Sequence, residues 1–176
     1  MEASVAASEP MASGGGMLSV EELRRIAHYD PETGEFTWLQ DRGRAKAGTK
    51  AKRGWGPYVM LRIGTKLYLA HRLAWLYVHG EFPKGYIDHI NCDQSDNRLA
   101  NLREATHQQN LCNRGKNKNN TTGYKGVYLV EPGKYKAVIK ENGKSKHLGI
   151  FDNPVSASQV YSAAAHRLHG EFARVY

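Results

Sequence analysis

Short runs of apolar positions, broken by turns, predict an α+β protein built from small elements. Leu23 and Ile26 give the first segment one buried side, and Ser19 before it predicts a helix start. The elements expected in the first half are that helix, a strand at 36–39, a hairpin with strands at 58–63 and 66–70, and a helix at 71–79. Residues 1–16, rich in Ala, Ser and Gly, predict a disordered leader.

The stretch from Tyr86 to Asn110 predicts a strand, a polar loop, a second short apolar segment and a helix. Thr106 to Gln109 forms a capping box, which places Asn110 in the first turns of that helix. Asp88 and His89 are neighbours in the strand. Because neighbouring residues of a strand point to opposite faces, they can share one site only if the strand ends or bends there.

The last third of the chain predicts a separate unit of three strands and one helix. The strands are expected at 124–130, 134–140 and 144–151, before a helix capped by Asn153. Alternation in the middle strand places Ala137 and Ile139 against the helix. Residues 113–122 are polar, basic and rich in Asn, which is typical of a linker. We therefore expect few core contacts to cross this segment.

Composition narrows the class of partner and the compartment. The 176 residues carry a formal net charge of +8, with a pI of about 9.5, and this balance suits a polyanionic partner. Two cysteines cannot build a four-cysteine zinc site, and unpaired thiols suit a reducing cytoplasm. No apolar run approaches the roughly 18 residues of a membrane span, so neither membrane association nor secretion is expected.

Four polar side chains of the central stretch can together support hydrolysis of a phosphodiester. Asn101 and Asn110 follow Asp88 by 13 and 22 residues. Carboxylate and amide oxygens are hard ligands that suit Mg²⁺ or Mn²⁺, with waters in the other positions. The neutral imidazole of His89 can take a proton from water near neutral pH, and metal plus base is a minimum set for this reaction. The alternative is an Asn-rich turn around an ordinary hydrogen-bonded histidine.

The sequence from about Leu69 to Asn110 resembles HNH endonucleases, in particular their phage-borne and intron-borne homing group. The resemblance rests on Asp-His, then Asn-Leu-Arg, then Asn, at the spacing of the family. It implies a ββα-metal module in which His89 is the general base. It also implies that Asp88 and Asn110 bind one divalent metal ion, Mg²⁺ or Mn²⁺, and that Asn101 holds the histidine loop in place by hydrogen bonds.

Residues 123–176 are similar to the plant APETALA-two, or ethylene-response-factor, DNA-binding domain. The similarity rests on YKGV, GKYKAVI, HLGIF and an Ala-rich helix that ends in HGEFA. It implies a sheet that lies in the major groove, with DNA-contacting positions at Lys125, Tyr128, Lys140 and His147. Where the plant domains carry Arg and Trp, this chain carries Tyr, Val and His. Since Arg pairing to guanine is the commonest specific base contact, we expect phosphate contacts to dominate here. Further phosphate contacts are expected from Arg114, Lys116, Lys118, Lys136 and Lys146.

These observations predict a metal-dependent DNA endonuclease that acts on double-stranded DNA in the cytoplasm of a bacterial or phage-infected cell, with no protein partner implied. The expected fold is α+β: a ββα-metal module with N-terminal hairpin and helix elements, then a small three-stranded antiparallel sheet with one helix. Its divisions are a leader at 1–16, the nuclease at 17–112, a flexible basic linker at 113–122 and the DNA-binding domain at 123–176. The main alternative is a DNA-binding regulator with an inactive nuclease centre. An RNA-binding or RNA-cleaving protein is less favoured, because nothing matches an aromatic single-strand platform.

Overall fold

The protein is a mixed α/β chain of small antiparallel sheets and short helices. The computed structural model describes residues 17–51, 56–117, 119–141 and 143–175, so the predicted leader and Lys118 lie outside the described residues. In chain order the elements are α1 (Val20–Ile26), β1 (Ala27–Asp30), β2 (Glu35–Trp38), β3 (Met60–Ile63), β4 (Lys66–Leu69), α2 (Ala70–His79), β5 (Tyr86–His89), β6 (Leu102–Ala105), α3 (His107–Cys112), β7 (Val127–Glu131), β8 (Lys134–Glu141), β9 (Lys144–Phe151) and α4 (Pro154–His169). Two 3₁₀ turns lie at Leu99–Asn101 and Gly170–Phe172. None of the described helices is long and apolar enough to cross a membrane.

The first core gathers α1, α2 and the sheets β1–β2 and β3–β4 around fully buried side chains such as Leu23, Leu61 and Leu73. Ser19 caps α1 by accepting a hydrogen bond from the backbone N–H of Glu22, as its position predicted. The hairpin and α2 are confirmed within two residues at their ends. Strand β1 was not predicted, because α1 passes into it without a turn residue, and only its pairing with β2 identifies it.

The turn between β1 and β2 packs directly against the loop that precedes β6. Gly34 has a φ of +73°, and a Cβ there would lie 2.3 Å from the backbone nitrogen of Arg98. The buried hydroxyl of Tyr29 donates to the carbonyl of Asn97 at 2.7 Å, and the backbone N–H of Leu99 donates to the carbonyl of Pro31 at 3.0 Å. The N-terminal hairpin therefore fixes a loop more than sixty residues later in the chain.

The second core is the predicted C-terminal unit, in which α4 covers one face of the sheet β7–β8–β9. Ala137 and Ile139 of β8 are buried against α4, as the alternation predicted. Asn153 caps α4 by accepting from the backbone N–H of Ser156, and Pro154 stands at its first position. The face of the sheet away from α4 is left to solvent.

We expect Gly34→Ala to lower the free energy of unfolding by more than Gly64→Ala does. Both glycines have positive φ, but a Cβ at Gly64 would meet nothing within 4 Å. Gly64→Ala should therefore cost only the left-handed backbone strain, about 1–2 kcal/mol. Gly34→Ala adds the clash with Arg98. Urea unfolding of the two variants measures the difference, and equal losses would contradict the packing described for this turn.

Candidate functional site

Strand β5 ends at His89, and this end allows two neighbouring side chains to serve one buried site. The chain turns at Ile90, whose backbone N–H donates to the carbonyl of Asn101 at 2.9 Å. Asp88 is 3% exposed and His89 is 5% exposed, so both are enclosed although they lie on opposite faces of the strand. The sequence required a strand end or bend at this point, and the structure has one.

The carboxylate of Asp88 is satisfied by two donors from different elements. Arg103 lies directly across from it in β6, and its Nε and Nη2 donate to Oδ2 at 2.9 and 2.8 Å. Asn113, which follows α3, donates from Nδ2 to both carboxylate oxygens at 3.0 Å. Since each carboxylate oxygen has about two acceptor sites, Oδ2 is fully engaged and Oδ1 retains capacity for another partner.

The imidazole of His89 is oriented by Asn97, which is itself 2% exposed. His89 Nε2 lies 3.3 Å from Asn97 Oδ1, and Asn97 Nδ2 donates to the carbonyl of Ser95 at 3.2 Å. Because the amide nitrogen of Asn97 is used by Ser95, its oxygen faces the ring, and His89 Nε2 must carry the proton. This tautomer leaves the lone pair on His89 Nδ1.

Burial keeps His89 neutral. It lowers the pKa of His89, and this outweighs the hydrogen bond to Asn97 and the charge of Asp88, which both act to raise the pKa. The buried ring of His71 stands edge-on to the ring of His89, with centroids 5.0 Å apart. Burial also lowers the pKa of His71, to about 3. Two neutral imidazoles are therefore in contact near pH 7, and neither repels the other.

Asn101 fastens both ends of the loop that follows His89. Its Oδ1 accepts from the backbone N–H of Asn91 at 2.9 Å, and its Nδ2 donates to the carbonyl of Asp96 at 2.8 Å. Within this loop Cys92 adopts a φ of +61°, a conformation that the local bonds must sustain. The hydrogen bonds are of the kind that the resemblance implies for Asn101, while its importance for activity stays a prediction.

Asn110 lies in α3, which Thr106 opens with the predicted capping box. Its side chain is half-buried, and among the described residues it makes no side-chain hydrogen bond. Among residues 17–51, 56–117, 119–141 and 143–175, no cluster of three or more His, Cys, Asp or Glu side chains could hold a metal ion. A metal ion here would thus depend on Asp88, on amide oxygens and on water. This donor set fits Mg²⁺ or Mn²⁺, which bind through one or two carboxylates and keep several waters.

Comparisons with known sequences and structures show what this chain is similar to. A sequence model of the HNH endonuclease family matches residues 68–112, from β4 to the end of α3. Protein 3.8 of Escherichia phage T7 is 33% identical over 106 residues, which cover 59% of this chain and 87% of the phage protein. Residues 68–112 are therefore an HNH endonuclease domain, and the site around Asp88 and His89 within it is called the HNH site below.

Two further comparisons cover less of the known protein. The uncharacterized HNH endonuclease L560 of Acanthamoeba polyphaga mimivirus is 34% identical over 109 residues. The match covers 61% of this chain and 56% of L560, so the chain spans about half the length of that relative. A solved structure of DNA binding and cleavage by the HNH homing endonuclease I-HmuI is 23% identical over 49% of each chain, with a TM-score of 0.36.

Three residues that contact Asp88 or His89 were not predicted as site residues from the sequence. Asn97 was visible only as a member of a polar loop, Arg103 only as part of the Asn-Leu-Arg motif with no role assigned, and Asn113 was assigned to the linker by its composition. The structure corrects the assignment of Asn113, which is buried and donates to Asp88 and to the carbonyl of His89. One signal was available for Arg103, because it is cross-strand to Asp88 once the two strands are paired in register.

The candidate DNA contacts of the sheet divide between its two faces. Paired residues of antiparallel strands share a face. Tyr128, Lys136 and Ile150 form one row across the three strands, on the face away from α4. His147 pairs with Val138 and lies on that face, as does Lys140. Lys146 instead pairs with the buried Ile139, so it points to the α4 side, where its ammonium lies 3.5 Å from Glu141.

The candidate contacts before the sheet are also unequal. Arg114 and Lys116 are exposed, and Lys116 Nζ donates to the carbonyl of Gly123 at 3.1 Å. Lys125 is half-buried, and its ammonium donates to the carbonyl of Cys112 at 2.7 Å. This hydrogen bond connects the start of the C-terminal unit to the end of α3. Burial also lowers the pKa of Lys125.

Asn113→Ala is expected to destabilise the protein by about 1–3 kcal/mol, because it leaves buried acceptors on Asp88 and His89 without their donor. Asn110→Ala is the matched control, three residues earlier, and should leave the free energy of unfolding within about 0.5 kcal/mol of the wild type. Denaturant unfolding compares the two. A loss at Asn110 as large as that at Asn113 would mean that the assignment of these two amides is wrong.

Proposed function

We propose that this protein hydrolyses DNA phosphodiester bonds with the help of a divalent metal ion, Mg²⁺ or Mn²⁺. The observation that carries the proposal is the buried, neutral His89, whose Nε2–H is held by Asn97 so that Nδ1 can accept a proton. The match of residues 68–112 to the HNH endonuclease family, and the similarity to a viral HNH endonuclease, support nuclease activity.

In this mechanism His89 is the general base. Its Nδ1 takes a proton from water as the water oxygen bonds to phosphorus and one phosphorus–oxygen ester bond breaks. The leaving oxygen takes a proton from solvent. Asn97 holds the ring in the required tautomer, while Asn101 keeps the loop closed beneath it. A neutral base at pH 7 is what this step requires, and burial supplies it.

Asp88 and Asn110 are the residues proposed to hold the metal ion. Oδ1 of Asp88 has a free acceptor site, and the amide of Asn110 is not used by another described side chain. A bound divalent cation would stabilise the negative charge that develops on the phosphate and the leaving oxygen. The burial of Asp88 and its two donors fix the carboxylate before any ion arrives.

The C-terminal sheet is proposed to bind double-stranded DNA in the manner of the ethylene-response-factor domains. The face away from α4 carries Lys136, Lys140 and His147 beside the exposed ring of Tyr128. The net charge of +8 favours association with a polyanion. Since this face lacks arginine, we expect its contacts to be mainly with phosphates and its selectivity to be modest.

A second candidate function is a DNA-binding regulator without nuclease activity. One observation favours it, because Asp88 already has three donor groups at Oδ2 and one at Oδ1. Such a protein would bind DNA through the same sheet. It would leave DNA intact with Mg²⁺ and with Mn²⁺, so the cleavage assay separates the two functions.

His89→Ala should lower single-turnover cleavage of double-stranded DNA by roughly 10²–10⁴-fold, the range for loss of a general base. The affinity for DNA should be unchanged, because His89 is buried and contributes no charge. The assay uses purified protein with genomic or plasmid DNA and Mg²⁺ or Mn²⁺, and binding is measured without metal. His28→Ala, an exposed histidine of β1, is the control.

Wild-type cleavage by His89→Ala would remove this residue from the catalytic role. If the wild-type protein itself fails to cut with either metal ion but binds DNA, the regulator is the correct function.

Lys136→Gln and Lys140→Gln are each expected to reduce the slope of log affinity against log salt by about 0.9, the contribution of one phosphate contact. Lys146→Gln removes the same charge from the opposite face of the same sheet and should leave the slope unchanged. Salt titrations of DNA binding by the full chain measure all three. A slope that falls equally for all three variants would show that the charge matters but the face does not.

A further inference from the structure

Arg103 connects the HNH site with the C-terminal unit. Its side chain is 13% exposed. Two of its N–H groups converge on Oδ2 of Asp88, at 2.8 and 2.9 Å. The remaining terminal nitrogen, Nη1, donates to the backbone carbonyl of Glu171 at 2.8 Å. One guanidinium therefore touches a proposed metal ligand and a residue 68 positions further along the chain.

Phe172 fixes the plane of the same guanidinium. The Arg103 carbon Cζ lies 3.8 Å from the centroid of the Phe172 ring, and Phe172 is itself 6% exposed. Cation–π contacts of desolvated groups are stronger than those at the surface. Both contacts come from the 3₁₀ turn Gly170–Phe172 directly after α4. The carboxylate of Glu171 lies 3.7 Å from Nη1, but its side chain is 75% exposed and adds little.

We propose that the turn Gly170–Phe172 positions Asp88 through Arg103, so that the C-terminal unit completes the HNH site as well as binding DNA. This inference depends on the proposed nuclease function. Arg103 and Phe172 are positioning residues, since neither is proposed to touch the substrate or the metal ion. The sequence predicted few core contacts across residues 113–122. The contact of Arg103 with the turn Gly170–Phe172 is one that crosses this segment and reaches Asp88.

The reason is geometric. Arg103 engages Oδ2 with two N–H groups and thereby presents Oδ1 as the open oxygen of the carboxylate. If the Phe172 ring and the Glu171 carbonyl did not hold the guanidinium of Arg103, it could rotate away from Asp88. The Asp88 carboxylate would then no longer be held in one orientation. Groups that orient a metal ligand typically change affinity or activity about 10–100-fold when they are removed.

The central test uses Phe172→Leu in the full chain. Leucine keeps an apolar side chain in the buried position but removes the ring beneath Arg103. Ile139→Val is the matched control, because it trims a buried side chain of the C-terminal core and leaves the ring that contacts Arg103 intact. Arg103→Lys keeps the positive charge and removes the planar guanidinium. The double variant Arg103→Lys with Phe172→Leu shows whether the two residues act through one another.

The first measurement is hydrogen exchange of the Arg103 Nε–H by NMR, which requires neither metal nor DNA. We expect exchange about two- to thirtyfold faster in Phe172→Leu, the range set by loss of a cation–π contact. Exchange in Ile139→Val should match the wild type. Unchanged exchange in Phe172→Leu would overturn the proposal, whatever the protein does to DNA.

The second measurement is single-turnover cleavage at saturating DNA with Mn²⁺. Phe172→Leu and Arg103→Lys should each lower the rate about 10–100-fold with unchanged DNA affinity, and the double variant should be no slower than Arg103→Lys. Independent, multiplying losses would show that Phe172 does not act through Arg103 and would overturn the proposal. If the wild-type chain does not cut, the nuclease function fails while the exchange measurement still decides whether Gly170–Phe172 holds Arg103.

Discussion

A buried carboxylate must be matched by donors, and this requirement at Asp88 organises the candidate site. A charge at 3% exposure would cost several kcal/mol without partners. Arg103 meets the requirement because β5 and β6 pair in a register that sets the two residues opposite each other. Asn113 meets it because α3 ends one residue earlier and delivers the amide at hydrogen-bond distance. The register of β5 with β6, the length of α3 and, through Arg103, the turn after α4 all bear on the environment of the Asp88 side chain.

A series of contacts links His89 to the N-terminal hairpin β1–β2. His89 is held by Asn97, and the carbonyl of Asn97 accepts from the buried hydroxyl of Tyr29. Gly34 allows the β1–β2 turn to approach the backbone of Arg98 more closely than any side chain would permit. The N-terminal hairpin, which contains no proposed catalytic residue, therefore helps to position the imidazole of His89. Its contribution to activity would be indirect and would act through the position of the loop.

The sequence predicted what depends on neighbouring residues and missed what depends on distant pairing. The capping box at Thr106, the Gly64 turn and the buried face of β8 follow from local periodicity and turn chemistry, and the structure has all three. Asp88, His89, Asn101 and Asn110 stood out because they match the HNH motif at the spacing of the family, and Arg103 appeared only as the last residue of its Asn-Leu-Arg part. Asn97 and Asn113 did not stand out, because an asparagine in a polar run carries no local sign that its amide is buried. Their importance depends on contacts that form only when the strands and α3 come together.

The C-terminal unit then has two physical connections to the HNH site rather than a tether alone. A flexible linker would raise the effective concentration of one unit near the other without changing either. Lys125 instead donates to the end of α3, and Arg103 lies between Asp88 and the ring of Phe172. Contacts of this kind make the position of Asp88, the proposed metal ligand, depend on whether the sheet unit is docked. If that unit binds DNA as proposed and also orients the carboxylate, cleavage would be restricted to protein in which both parts are folded together.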